Sequence, residues 1–82
     1  MKVHELKLEH EFYEAVKSGD KNFEIRYNDR GFQKGDELKL MPWSQEYHCY
    51  TEPYDGIRKK ISYVMSGYGL KEGWVALGLV DP

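Results

Sequence analysis

A chain of 82 residues, 40% hydrophobic and 32% charged, has the composition of one small folded domain rather than of a disordered segment. Its formal net charge of -2 excludes the uniform basic footprint of proteins that track long phosphate backbones, while leaving room for a local basic pocket. A single cysteine, Cys49, rules out an internal disulfide, and no apolar run approaches the ~20 residues of a membrane-crossing helix, so a cytoplasmic setting without membrane contact is expected.

Val3–Leu8 reads as a strand with Leu6 and Leu8 on one face. From Glu9 to Ser18 the period lengthens. Phe12, Ala15 and Val16 recur at i, i+3 and i+4 with Tyr13 beside them, which predicts a short amphipathic helix. Glu9 and Glu11 near its start, Lys17 in its last turn and Gly19 just beyond suit the helix ends. Asn22–Tyr27 then alternates as a strand, with Glu24 and Arg26 on one face and Phe23 and Ile25 on the other.

A turn-rich loop from Asn28 to Asp36 leads to a strand over Glu37–Met41, which Pro42 should close because proline cannot donate to a ladder. Trp43–Asp55 reads as a protruding polar and aromatic loop with a short strand at Tyr47–Thr51. Ile57–Met65 reads as a long strand with Ile57, Ile61, Tyr63 and Met65 on one face, followed by a glycine-rich loop over Ser66–Gly73. Trp74–Val80 is nearly all apolar, as expected of a strand buried on both sides. Residues 1–82 therefore predict a single α+β domain. Its architecture is a small, mostly antiparallel β-pseudobarrel of about five strands with one main N-terminal helix.

The segment Ser18–Arg30 concentrates the chemistry, crowding Lys21, Glu24, Arg26, Asp29 and Arg30 around strand-like hydrophobes. The order of motifs is Gly19, Lys21, Glu24 and Arg26 as G-x-K-x-x-E-x-R; then Phe32, Gly35, Asp36, Leu38 and Leu40; then Ile61 and Tyr63; and finally Gly73–Gly78 as G-W-V-A-L-G. Together they resemble the ASCH domains of the PUA-like superfamily, in a subfamily common in bacteria and their phages. The resemblance implies a PUA-like pseudobarrel and an RNA- or nucleoside-binding cleft lined by Lys21, Glu24 and Arg26.

Physically, Glu24 can accept from a base's amino or imino groups, while Lys21 and Arg26 can meet carbonyl or phosphate oxygens. The alternative is a solvated salt-bridge ladder. Asn28 and Arg30 extend the candidate site as a rim, against a reading in which Asn28 or Asp29 only makes a turn. Tyr68, between Gly67 and Gly69, is a further candidate for ligand contact. Arg58 and Lys60 share one side of their strand as a candidate nucleic-acid patch.

A non-catalytic module binding RNA or a nucleoside is the expected function. Some ASCH proteins similar to this chain are amidohydrolases that deacetylate acetylcytidine with a lysine, a threonine nucleophile three residues later and a distant glutamate. Lys21 and Glu24 are the candidate catalytic residues for that alternative, but Glu24 stands where the threonine would be, and Glu72 is only a candidate for the distant acid. A third alternative is a phage or bacterial protein-interaction module using the aromatic loop Trp43–Tyr54. No cofactor or metal is expected: His48-Cys49 lacks ligand spacing, and Gly67, Gly69 and Gly73 do not open a helix after a strand.

Overall fold

In the computed structural model, which describes Met1–Pro82, the first strand β1 (Val3–Glu9) alternates strictly: His4, Leu6 and Leu8 are buried and the residues between them exposed. The helix α1 (His10–Ser18) buries Tyr13 and Val16 but leaves Phe12 39% exposed, so its covered stripe is narrower than its apolar one. Gly19 ends it at φ 90°, and the amides of Gly19 and Lys21 turn back onto the carbonyls of Val16 and Ala15. Lys21 is thereby held close to the helix C-terminus, where a cation suits the local dipole.

The remaining elements are β2 (Phe23–Tyr27), β3 (Glu37–Ser44), β4 (Cys49–Tyr50), β5 (Ile57–Ser66) and β6 (Trp74–Val80). They form one curled sheet in the order β1-β3-β5-β6-β2, with β4 added to β3. β1 runs parallel to β3, as the crossover through α1 permits, and every other pairing is antiparallel. The protein is thus mostly β, a half-barrel with one short helix packed on β1 and β3. Leu6, Leu8, Leu38, Leu40, Ile61 and Leu77 fill the inside of the curl, with Tyr13 and Val16 supplied by the helix.

Three strands depart from their sequence reading. β3 runs on through Pro42, which is fully buried. Its antiparallel partner is β5 as far as Leu40 and β4 from Trp43, and the Pro42 carbonyl accepts from Thr51. One residue's nitrogen and carbonyl face the same side of a strand, so Pro42 makes only one of the two bonds it could exchange with Thr51, and the missing bond falls where β3 changes partners.

β5 carries a bulge at Ser62, since Ile61 pairs with Leu79 but Tyr63 with Gly78. The extra residue resets the alternation. Ile57, Ile61 and Val64 pack inward, while Tyr63 and Met65 turn outward, 63% and 40% exposed. β6 is covered on one side only: Val75, Leu77 and Leu79 are buried, whereas Trp74 and Val80 remain exposed.

Where β5 begins, Gly56 has φ +67°, and a Cβ there would lie 2.4 Å from the Leu40 carbonyl oxygen and 2.7 Å from the Met41 sulfur. Gly56→Ala is expected to destabilise the fold by ~2–4 kcal/mol, because both the left-handed backbone and the β3 backbone resist it. Gly31 has φ +63° with nothing within 4 Å of its missing Cβ, so Gly31→Ala should cost only ~1 kcal/mol. Equal losses for the two variants in urea unfolding would show that the close approach at Gly56 has no energetic weight.

Candidate functional site

β1 and β2 are the two free edges of the sheet path, and no ladder joins them. Side chains span the gap instead: Arg26 Nη2 donates to the Lys7 carbonyl at 2.7 Å, and Arg30 Nη1 donates to the Glu5 carbonyl at 2.8 Å. Residues two apart present their backbone groups to the same side of a strand, so Glu5 and Lys7 offer one row of edge acceptors. The arginines occupy that row, which also blunts an edge open to strand addition.

An open groove of about 600 Å³ lies between these edges, lined from β1 by Leu6, Lys7, Leu8 and Glu9 and from β2 by all five of its residues. Glu24 is set in its inner wall, 3% exposed. Its Oε1 accepts from Lys21 Nζ and its Oε2 accepts from Arg26 Nε at 2.9 Å. A buried carboxylate needs such partners, since isolated burial of a charge costs several kcal/mol. Lys21 Nζ also donates to the Phe23 carbonyl at 2.7 Å and sits 4.9 Å and 5.5 Å from the ring centroids of Phe23 and Phe12.

The resulting surface combines fixed cations with aromatic faces. Lys21, Arg26 and Arg30, with Lys7 from β1, supply the positive charge, and only Glu24 among the acids is buried between them; Asp29 and Glu9 are exposed. Phe12, Phe23, Tyr27 and Trp74 supply rings around the groove, the last two in an edge-on pair with centroids 6.0 Å apart. Cation donors beside exposed rings can take a planar, oxygen-bearing ligand by stacking and charge-assisted hydrogen bonds.

Of the residues singled out from the sequence, the structure brings Lys21, Glu24, Arg26 and Arg30 together here. It does not bring Asn28, whose Oδ1 accepts from the Phe32 amide at 2.9 Å and so shapes the loop after β2. Nor does it bring Tyr68, which stands 94% exposed at φ 51° and lines no part of the groove. Arg58 and Lys60 both face outward, with Arg58 paired to Glu37 at 2.9 Å; Lys59, on the other side, reaches Asp81 at 2.7 Å. Phe12, Lys7 and Trp74 were not anticipated. Phe12 carried a usable signal, since it lies on the helix that leads into Lys21 and that helix is too short to bury every apolar position.

The loop after β3 packs largely on itself. Trp43 meets Tyr50 edge-on at 5.1 Å and lies beneath Lys7 Nζ, 4.0 Å from its ring centroid, while β4 spans only Cys49–Tyr50 of the expected strand. Tyr47 and Tyr54 remain exposed. His48 stacks edge-on against Trp43, and no three His, Cys, Asp or Glu side chains gather in a metal-binding group. No helix is long and apolar enough to cross a membrane.

A curled half-barrel sheet, one helix and an open groove between its free edges define a small, mostly β domain. The chain belongs to the family described as Domain of unknown function (DUF3850), which it matches over residues 3–79. Over 44 residues it is 41% identical to the "Uncharacterized 12.9 kDa protein in GpA 3'region" of Escherichia phage P2. That match covers 54% of this chain and 40% of the phage protein, so less than half of the relative's length is represented.

Proposed function

We propose that the groove between β1 and β2 binds RNA or a nucleoside, without catalysis, in a domain of the ASCH type within the PUA-like superfamily. The observation that carries this reading is Glu24, buried at the inner wall of the groove and holding Lys21 and Arg26 side by side among Phe12 and Phe23. The carboxylate fixes two cations in place, and their remaining N–H groups can meet base carbonyl or phosphate oxygens while a ring stacks on the base. Catalysis by Glu24 fits less well. Each of its oxygens is held by a cation, and at 3% exposure the carboxylate leaves little access for an attacking water.

Titration of short single-stranded RNAs and free nucleosides, followed by intrinsic tryptophan fluorescence or calorimetry, tests the proposal. Lys21→Ala is expected to weaken binding at least ~10-fold, the loss of one charge-assisted hydrogen bond. A groove with so few cations predicts a shallow salt dependence for RNA, with a slope of about −2 in log K against log salt, and almost none for a nucleoside. Absence of saturable binding, or unchanged affinity in Lys21→Ala, refutes it. Release of acetate from acetylcytidine would assign hydrolysis instead.

A further inference from the structure

We propose that the outer face of β2, β6 and β5 is the interface of a symmetric dimer, with a second copy of this chain as its occupant. Three independent features turn apolar side chains onto this one face. β2 has inverted polarity, with Glu24 and Arg26 inward and Phe23, Ile25 and Tyr27 about half exposed. The bulge at Ser62 rotates Tyr63 and Met65 to the same side. β6 has the near-continuous apolar run of a strand covered on both faces, yet a single copy covers only one.

The face is also shaped to receive a copy of itself. Across the strands, Phe23 pairs with Gly78 and Gly78 with Tyr63; Ile25 pairs with Ala76 and Ala76 with Met65. Each row therefore reads large, small, large. The β2 and β5 side chains form two ridges, and the small β6 residues form a furrow between them, with the Ser62 hydroxyl lying beside Gly78. A ridge of one copy can enter the furrow of the other under a twofold axis, as an isologous interface requires.

Area and charge point the same way. Seven side chains that are roughly half exposed, from Phe23 to Val80, present on the order of 600 Å² of apolar surface per copy, at the upper end of the largest patch on a typical monomer. Two copies would bury ~1,200 Å², the lower bound for a specific interface. The rows themselves contain no charged residue; the nearest cations are Lys60 and Arg58 beyond one end and Lys21, 4.9 Å from the Phe23 ring centroid, at the other. A partner with a phosphate backbone would find nothing in the rows to neutralise it, whereas an apolar twin needs no countercharge.

Light scattering coupled to gel filtration, with sedimentation over a concentration series, reads the proposal directly. The chain at ~100 µM is expected at twice its 9.7 kDa mass, dissociating on dilution. Met65→Lys and Tyr63→Lys, neither of which lines the groove, should each raise the dissociation midpoint at least ~10-fold with an unchanged circular dichroism spectrum. Gln45→Lys, in the turn after β3, should leave it unchanged. Should Met65→Lys lose its fold, the more exposed Tyr63→Lys carries the test.

A chain monomeric at ~1 mM overturns the proposal, as does a dimer indifferent to both variants. A monomer whose RNA binding falls in Tyr63→Lys would assign the face to nucleic acid and overturn it equally. Phe23, Ile25, Tyr27 and Trp74 also border the groove, so the two sites share a rim; groove binding is read through Lys21→Ala, which leaves the paired rows intact, so either idea can fail alone.

Discussion

Replacing Glu24 by alanine is expected to lower the thermal midpoint by roughly 10–20 °C and to abolish ligand binding in the groove. The stability loss follows from burial. Glu24 is 3% exposed and both its oxygens are engaged, so its removal leaves the Lys21 and Arg26 cations facing one another without their counter-ion. Breaking a buried ion pair costs ~3–5 kcal/mol; Lys21 and Arg26 keep 17% and 26% side-chain exposure and can recover some hydration, which brings the expectation to ~2–3 kcal/mol. In a domain of this size each kcal/mol is worth ~4–8 °C.

A second variant separates folding from function. Glu24→Leu combined with Lys21→Met and Arg26→Met replaces the whole ionic cluster by packed apolar side chains, an exchange that is often neutral or stabilising. It should recover most of the lost stability and none of the binding. If the triple variant unfolds as readily as Glu24→Ala, the cluster is needed by the fold itself, and its charges are no longer an argument for a ligand.

Period-two alternation places Glu24 and Arg26 on one side of β2, but it does not say which side points inward. The rule that apolar residues face the core chooses Phe23 and Ile25 for the inside, and the structure chooses the reverse. The reason lies in tertiary position. β2 is an edge strand whose inner side meets the groove, where Lys21 and Arg26 satisfy the carboxylate, and it is the outward residues that lack a covering layer. Ser62 had a similar effect. Nothing local in Ile57–Ser66 announces a bulge, and without it Tyr63 and Met65 count as core.

Local signals with a direct physical cause were more readable. Gly19 ends α1 because its left-handed conformation costs nothing without a Cβ, and Lys21 follows at a set distance from the helix end. The spacing Lys21–Glu24–Arg26 thus translated into contact, since the first residue lies just before β2 and the other two share its inner face. Arg30 joined them through the β1 backbone, a pairing 25 residues apart that no short motif encodes. Pro42 does not end β3 because its missing donor costs a single bond at the point where β5 gives way to β4, and that exchange of partners is a tertiary fact.

Asp36→Asn is expected to cost ~2–4 kcal/mol near neutral pH and to remove part of the acid sensitivity of the fold. Asp36 is the hub that ties the start of β1 to the turn before β3. Its Oδ1 accepts from the Lys2 amide at 3.1 Å; its Oδ2 accepts from the Gln33 amide at 3.2 Å and pairs with His4 Nε2 at 2.9 Å. His4 is buried with it and rests edge-on against Phe32, 4.9 Å between centroids. An asparagine must turn its NH₂ toward either the Lys2 amide or the Gln33 and His4 side. Donor then faces donor, and a buried group goes unsatisfied.

The hydrogen bond from His4, aided by those from the Lys2 and Gln33 amides, holds the Asp36 carboxyl below its ordinary value of 3.8 against the opposing effect of burial. A carboxyl with a depressed folded-state pKa stabilises the fold above its unfolded pKa, and that stability is lost as pH falls through the folded value. The part of the wild-type advantage over Asp36→Asn that comes from this carboxyl's ionisation should therefore be fully present above about pH 3.8 and shrink below it. Urea unfolding of the two proteins between pH 7 and pH 2.5 measures this, provided both remain two-state. A gap that stays unchanged to the lowest pH would show that Asp36 contributes by shape and hydrogen-bond count alone, with no contribution from its charge.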